Sequence, residues 1–145
     1  MTEVFRAETT IDRPSDQVWA RLVDWDRAAD WMPGVDALRA EGPTAVGTRL
    51  VFTARGKERA GEIAAVEPGR LVTVRSALGG VTADYAYRCE PDGAGTRVTL
   101  VADCRTKGPV RLFAPLIRSA IRKADRGQLV AFAAAVDGRG ATAAS

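Results

Sequence analysis

The fold is decided by the stretch Glu62–Cys104, EIAAVEPGRLVTVRSALGGVTADYAYRCEPDGAGTRVTLVADC. Apolar and polar residues alternate along it, which is typical of β-strands that bury one face. Signals for tight turns interrupt this alternation here and upstream, at 41–47, 56–57, 67–70, 79–80 and 92–95. Because such spacing favours hairpins, residues 35–106 are predicted to form six antiparallel strands.

The strand registers can be compared with one another if the hairpin loops have two residues. The assumed loops are Gly56-Lys57, Pro68-Gly69, Gly79-Gly80 and Gly93-Ala94. They pair Phe52 with Gly61, Ile63 with Val74, Val74 with Tyr85, and Tyr87 with Leu100. All four loops then give one apolar face, which holds Leu50, Phe52, Ile63, Val72, Val74, Tyr85, Tyr87, Val98, Leu100 and Ala102. A slip of one residue would reverse the faces, so the agreement supports this register.

The opposite face of the predicted sheet is charged. Arg75 falls opposite both Glu62 and Asp84, and Arg55 falls opposite Glu58. Opposite charges across neighbouring strands are mildly stabilising. Glu62 and Asp84 would be the natural carboxylate pair for acid–base catalysis, but their place on the outer face indicates solvated structural charges instead.

Composition removes several classes of chemistry. The chain has 145 residues and no histidine, which excludes histidine-based catalysis and histidine metal ligands. The register separates Cys89 from Cys104 by far more than a disulfide spans, so both are predicted to be free, inward-facing thiols. Net charge is only +3, and the sequence contains no transmembrane run and no signal peptide. We therefore expect a cytoplasmic protein of one domain that binds no nucleic acid, inserts into no membrane and needs no metal or cofactor.

Helical patterns flank the predicted meander. Residues 3–11 predict a first strand, and Pro14 with its polar neighbours predicts the start of a helix that carries Trp19 on its apolar face. A second short helix is predicted from Trp25 to Trp31, where Pro33 and a glycine end it. Helical spacing returns near 113–116 and runs to about Val136, and this long helix must bury its apolar stripe against the sheet.

These elements predict an α+β fold: a seven-stranded curved antiparallel sheet wrapped around a long C-terminal helix, with two short helices between strands 1 and 2. A curved sheet that wraps around one helix cannot contact that helix evenly over its whole inner face. Small residues on the inner face favour a cavity there; they are Ala54, Gly61, Ala65, Ala83 and Ala102. The domain is expected over 1–137, with a disordered tail over 138–145.

The sequence resembles the START-like (SRPBCC) superfamily, which includes the birch-pollen-allergen-like fold and the polyketide cyclase/dehydrase and lipid-transport family. The resemblance covers about 3–136. It rests on the order of a proline before a Val-Trp helix, a Trp-Met-Pro-Gly break, an acidic-Pro turn and a Gly-Thr-Arg strand start. It implies a helix-grip fold and a hydrophobic pocket for a small organic molecule, and it supplies no catalytic motif because a fold of this kind carries many activities.

The predicted cavity lining combines this resemblance with the inward register. It consists of Trp31, Phe52, Ile63, Val74, Ser76, Tyr85, Tyr87, Leu100, Phe113, Ile117 and Ile121. Trp31 is expected at the pocket mouth, and the tyrosine hydroxyls either bind a phenolic or carbonyl ligand or pack with local partners. Arg59, near a strand end, either anchors a carboxylate or enolate or bends into solvent. The basic stripe Arg118, Arg122, Lys123 and Arg126 is interpreted as a solvated helix face.

Three functions stay open at this stage. The first is binding of a small hydrophobic or aromatic molecule, with polyketide cyclase or aromatase activity in which the pocket folds a reactive chain. The second is a non-enzymatic carrier or sensor of lipid-like molecules. The third is a toxin of a toxin–antitoxin pair, which the segment 108–129 faintly resembles. The chain is expected to act as a monomer or homodimer.

Overall fold

The computed structural model describes residues 2–32, 35–54, 56–78, 80–108, 115–116, 119 and 127–136, except for the side chains of Thr2, Val4 and Leu78. Strand β1 (Thr2–Ile11) comes first, followed by helix α1 (Ser15–Leu22) and a 3-10 helix (Trp25–Asp30). The next strands are β2 (Val35–Ala40), β3 (Arg49–Ala54), β4 (Lys57–Glu67), β5 (Leu71–Leu78), β6 (Val81–Asp92) and β7 (Gly95–Thr106). Helix α2 (Gln128–Val136) follows.

The strands form one antiparallel sheet in the order β1-β7-β6-β5-β4-β3-β2. The six strands from β2 to β7 are a meander, as the turn signals predict, and β1 joins the far side of β7. This confirms the predicted α+β class and the seven-stranded sheet. The edges are β1 and β2, the strands that precede and follow the short helices.

In three of the four hairpins, the residue pair predicted from the turn lies opposite as expected. Ile63 lies opposite Val74, Val74 opposite Tyr85, and Tyr87 opposite Leu100. The turn glycines adopt the left-handed conformation that other residues avoid, with φ of +84° at Gly80 and +62° at Gly93. Turn chemistry and the alternation therefore determine the same register in the centre of the sheet.

The β3–β4 hairpin differs from the prediction by two residues. Gly61 lies opposite Leu50 and Phe52 lies opposite Arg59, so the predicted Phe52–Gly61 pair is wrong. Glu58 faces Thr53, so the predicted opposition of Glu58 and Arg55 is also wrong. Gly56, with φ of +77°, lies in the second loop position rather than the first. Tight hairpins accept a left-handed glycine in either position, and the shift of two leaves each face unchanged.

A β-bulge in β4 makes a second correction. The register shifts between Ile63 and Ala65, so that Val66, rather than Ala65, lies opposite the buried Val72. Val66 packs against the core, whereas Ala65 was predicted on the inner face. The extra residue of a bulge reverses which side chains of the strand point inward beyond it.

The short helices cover one part of the inner face. Helix α1 begins directly after Pro14, which precedes it with no side-chain capping bond, and buries Val18 and Leu22. Trp25 is buried at the start of the 3-10 helix, and its indole Nε1 donates a hydrogen bond to Thr44 Oγ1 at 3.1 Å. This bond ties the 3-10 helix to the loop between β2 and β3. Trp19 is partly buried against the same core.

Helix α2 is shorter at its start than the predicted helix. It begins at Gln128, and the preceding Gly127 has φ of +84°, which is not a helical conformation. The prediction of one unbroken helix up to Val136 is therefore wrong at Gly127. The last residue of α2, Val136, agrees with the predicted end. Glycine is among the poorest helix formers and enters the left-handed region freely. The described residues Pro115, Leu116 and Ser119 are helical, and the basic stripe lies outside the described residues, as does the tail.

The outer face carries the predicted charge pairs in the middle of the sheet. Arg75 lies opposite Glu62 on one side and Asp84 on the other. Its guanidinium donates two hydrogen bonds of 2.8 Å to the two carboxylate oxygens of Asp84, and these raise the pKa of Arg75. Asp84 is thus held in a two-bond ion pair away from the inner face, as expected for a structural charge.

We predict that Gly61→Ala lowers the free energy of unfolding by about 1–3 kcal/mol, the usual cost of overpacking. A Cβ atom at this position would lie 2.6 Å from the carbonyl oxygen of Arg75, which is backbone and cannot rotate away. Ala60→Ser, which adds one atom on the exposed neighbouring residue, is the control. Urea denaturation of both variants measures the difference, and equal values would contradict the close approach.

We also predict that the native thiols do not react. Cys89 and Cys104 are buried and form no disulfide, and burial raises the pKa of Cys89 to about 11. The Cys89 thiol therefore stays protonated below that pH, and its contribution to stability is complete below its ordinary value of 9.0 and declines as pH rises toward 11. Ellman's reagent at pH 8 should label the native protein slowly and two thiols after urea unfolding. Rapid labelling of either thiol in the native protein would refute this.

Candidate functional site

One part of the inner face is fully closed. We call it the closed half, and it is formed by sheet residues covered by α1, α2 and the tryptophans. Its members include Leu50, Ile63, Val72, Tyr87, Cys89, Val98, Leu100, Val18, Leu22, Trp31, Leu129 and Phe132, none more than 3% exposed. Burying each such side chain contributes about 1.5–3 kcal/mol. The closed half is therefore the main source of stability in the described structure.

Aromatic contacts lie at the centre of the closed half. The ring of Trp31 meets Tyr87 nearly edge-on, with centroids 5.8 Å apart, and Phe132 at 4.7 Å with a tilt of 60°. The hydroxyl of Tyr87 donates a hydrogen bond to Oε1 of Gln128, the first residue of α2. The indole Nε1 of Trp31 is buried and has no hydrogen-bond partner among the described residues. These contacts fix α2 against the centre of the sheet.

The other part of the inner face is partly open. We call it the inner-face patch, a set of residues that are neither buried nor fully exposed: Phe52, Arg59, Gly61, Val74, Ser76 and Tyr85. The closed half adjoins it at Leu50 and Ile63, which are 1% and 0% exposed. The change in burial along this face separates residues that the described helices cover from residues that stay partly exposed.

The register makes the patch continuous. Phe52 lies opposite Arg59, Gly61 opposite Ser76, and Val74 opposite Tyr85. Along β4 and β5 the members lie two residues apart, so their side chains leave the same face. The patch thus runs over four neighbouring strands, with an aromatic ring at each side and small residues in the middle. Ser76 is small and Gly61 has no side chain, so the middle of the patch carries little side-chain volume, and the strands approach too closely to admit a Cβ atom at Gly61.

The structure divides the residues that the sequence nominates. Phe52, Val74, Ser76, Tyr85 and Arg59 come together in the inner-face patch. Ile63, Tyr87, Leu100 and Trp31 lie in the closed half. Trp31 is 2% exposed, which is deeper than the predicted pocket mouth. Phe113, Ile117 and Ile121 lie outside the described residues. That any of these residues binds a ligand stays a prediction.

The sequence missed a second cation beside the patch. Lys57 lies opposite Ala54, so it shares the inner face with Arg59, two residues along β4. The displaced β3–β4 loop hides this, because the predicted register places Lys57 inside the turn. The alternation Lys57, Arg59, Gly61 along one strand is the signal that identifies it.

Within the described residues, no group of three or more histidine, cysteine or acidic side chains is placed to hold a metal ion. The same part of the chain contains no helix that is both long and apolar enough to cross a membrane. The patch itself carries a guanidinium, two hydroxyls and apolar surface.

The family is established by comparison with known sequences. The polyketide cyclase/dehydrase and lipid transport family matches residues 2–137. The chain belongs to this family. Its helix-grip architecture and the order of its elements are those of the START-like superfamily, as the sequence resemblance implies. No curated protein matches the chain significantly in sequence.

Solved structures share the fold over nearly the whole chain. The Zhui aromatase/cyclase of Streptomyces sp. R1128 superposes with a TM-score of 0.71 at 17% identity, covering 97% of this chain and 94% of that one. Truncated norcoclaurine synthase of Thalictrum flavum gives 0.65 at 21% identity, covering 94% and 96%. The protein TTHA0849 of Thermus thermophilus gives 0.68 at 22% identity, covering 97% and 98%. At these identities the similarity shows a common fold alone.

We predict energetic coupling between Tyr87 and Gln128. Tyr87→Phe should lower the free energy of unfolding by about 1–3 kcal/mol, because a buried acceptor loses its donor. In a double-mutant cycle with Gln128→Leu, the second substitution should cost less once the first is present, with a coupling of at least about 0.5 kcal/mol. Chemical denaturation of the four proteins measures it. Strictly additive costs would contradict the contact.

Proposed function

We propose that the protein binds a small hydrophobic or aromatic molecule on the inner-face patch. The observation that carries the proposal is the continuous set of partly exposed side chains on the inner face, next to the fully buried closed half. Apolar surface with a few polar groups, beside a well-packed core, is the usual composition of a small-molecule site. Membership of a family described by cyclase, dehydrase and lipid-transport activities supports the same conclusion.

Each patch residue has a chemical role in this proposal. Phe52, Val74 and Tyr85 provide apolar and aromatic contact area. Ser76 provides a hydroxyl in the centre, and Arg59 provides a cationic donor at the edge. The site adjoins the closed half, which contains Trp31, Tyr87, Leu100 and Ile63. Burial by α1 and α2 keeps these residues rigid. A rigid neighbourhood lowers the free-energy cost of ordering the site when a ligand binds.

Turnover is a second candidate function. Aromatase/cyclase and norcoclaurine synthase structures share this fold. A ligand folded on the patch would lie near Tyr85 and Arg59, whose donors polarise a carbonyl oxygen. The enol carbon of a neighbouring β-diketone unit then attacks that carbonyl carbon, and the enol proton passes to the carbonyl oxygen, which becomes a hydroxyl that later leaves as water. Holding the two carbons together supplies much of the rate increase in such a reaction. A poly-β-ketone analogue that loses water with the wild type, but not with Tyr85→Phe, would support this activity over simple carriage.

The remaining expectations follow from this proposal. The carrier or sensor is the non-enzymatic form of the same binding function, and native mass spectrometry of protein purified from its own host distinguishes a bound molecule from none. We keep a cytoplasmic monomer or homodimer as the expected state. The segment that suggests a toxin lies largely outside the described residues.

We predict that neutral 1-anilinonaphthalene binds the wild type and gains fluorescence. Ser76→Phe should weaken binding at least about tenfold, because the added ring fills the centre of the patch, and tenfold corresponds to about 1.4 kcal/mol. Ala77→Phe is the matched control, since it adds the same ring to the exposed neighbour on the outer face. Fluorescence titration measures the affinities. No binding by the wild type, or equal losses in both variants, would refute the proposed site.

A further inference from the structure

The charges of the sheet are divided between its two faces. Strands β3 to β7 contain seven acidic residues, and all seven occupy outward positions in the register: Glu58, Glu62, Glu67, Asp84, Glu90, Asp92 and Asp103. The inward positions of the same strands hold Lys57 and Arg59 and no carboxylate. A ligand on this face would therefore meet cations alone among the charged side chains of these strands.

The two cations lie together at the open end of the patch. Lys57 and Arg59 follow one another on the same side of β4, about 7 Å apart at roughly 3.3 Å per residue. Arg59 is partly buried opposite Phe52, whereas Lys57 is exposed at the hairpin end. Arg59 therefore lies between the apolar patch and solvent, and Lys57 lies on its solvent side.

The guanidinium of Arg59 has no hydrogen bond or ion pair with any residue that the structure describes. Three arginines of the sheet do have acidic partners: Arg75 binds Asp84, Arg49 lies 3.6 Å from Glu41, and Arg6 lies 2.8 Å from Glu3. Arg59 differs from them in lying on the inner face, where strands β3 to β7 place no carboxylate. A partly buried guanidinium retains five donors, which suit a carboxylate or a similar oxyanion. The absence of an inward carboxylate leaves those donors to a ligand.

We propose that the ligand of this protein is an amphipathic organic anion. Its apolar or aromatic body lies on Phe52, Val74 and Tyr85, and its carboxylate, sulfonate or other oxyanion binds Arg59, with Lys57 adding a second positive charge. This inference rests on the proposed function, since it assigns a chemical class to the ligand of the same site. It excludes cationic ligands, which the two side chains repel.

The test compares two probes that differ by one anionic group. Neutral 1-anilinonaphthalene and 8-anilinonaphthalene-1-sulfonate carry the same rings, and the second adds a sulfonate. The wild type should bind the sulfonate at least about tenfold more tightly, because hydrogen bonds to charged groups are the stronger kind. Added salt should reduce this preference, since Lys57 is exposed and screened. The neutral probe should displace the anionic one, which shows that both occupy one site.

The variants locate the anion. Arg59→Gln should remove most of the preference for the sulfonate and Lys57→Gln a smaller part of it, and circular dichroism of both variants reports intact folding. Arg105→Gln, an exposed arginine on the outward side of β7, is the matched control and should change neither probe. Equal affinity of the two probes in the wild type, or an unchanged preference in Arg59→Gln, would overturn the anion assignment. Failure of the neutral probe as well would instead overturn the proposed function.

Discussion

The structure depends on one constraint, the alternation of side chains in an antiparallel sheet. Except at β-bulges, each strand sends every second residue to the inner face, and pairing in register lines those residues up across the sheet. The apolar side must then be removed from water, and the chain does this with short elements: α1, the 3-10 helix and α2. They close the half of the inner face that contains Tyr87, and the inner-face patch is what they leave partly open.

Much of the fold follows from the sequence because a residue keeps its face of the sheet when a predicted register is wrong by two residues. The β3–β4 loop was misplaced, yet the register moved by two residues and each side chain kept its face. Two other features are not recoverable in this way. The bulge near Ala64 inserts a residue without any composition signal, and Gly127 interrupts the last helix where apolar periodicity continues on both sides. Both are changes in backbone conformation, which the pattern of apolar and polar side chains does not reveal.

The sequence predicted which residues share the inner face, but not how deeply each is buried. The inward register nominates both Tyr85 and Tyr87, which look equivalent in sequence. Only packing separates them: Tyr87 contacts Trp31 and bonds Gln128, whereas Tyr85 is only partly buried. The same cause moves Trp31 from the expected rim into the centre of the core, because Phe132 packs onto its ring. Tertiary contacts between distant segments decide burial, and these leave no local signal.

The chain has no histidine, and its other polar side chains differ between the outer and inner faces of the sheet. Its carboxylates are used as structural charges outside, of which the Arg75–Asp84 pair is the clearest case. Inside, the polar groups that the structure describes are hydroxyls, the amide of Gln128 and the cations Arg59 and Lys57. Such a set is suited to donating hydrogen bonds to oxygen atoms.

The buried thiols have a practical consequence for measuring this protein. Because Cys89 and Cys104 are enclosed in the core, a cysteine introduced on the outer face of β5, at Ala77, would be the accessible site for a fluorescent dye. Ala77 is exposed and directly follows Ser76 in the patch, so the dye would be attached one residue from the proposed site, on the opposite surface of the same strand. The native cysteines would not need to be removed, and the sheet itself would serve as the scaffold of a reagentless optical sensor.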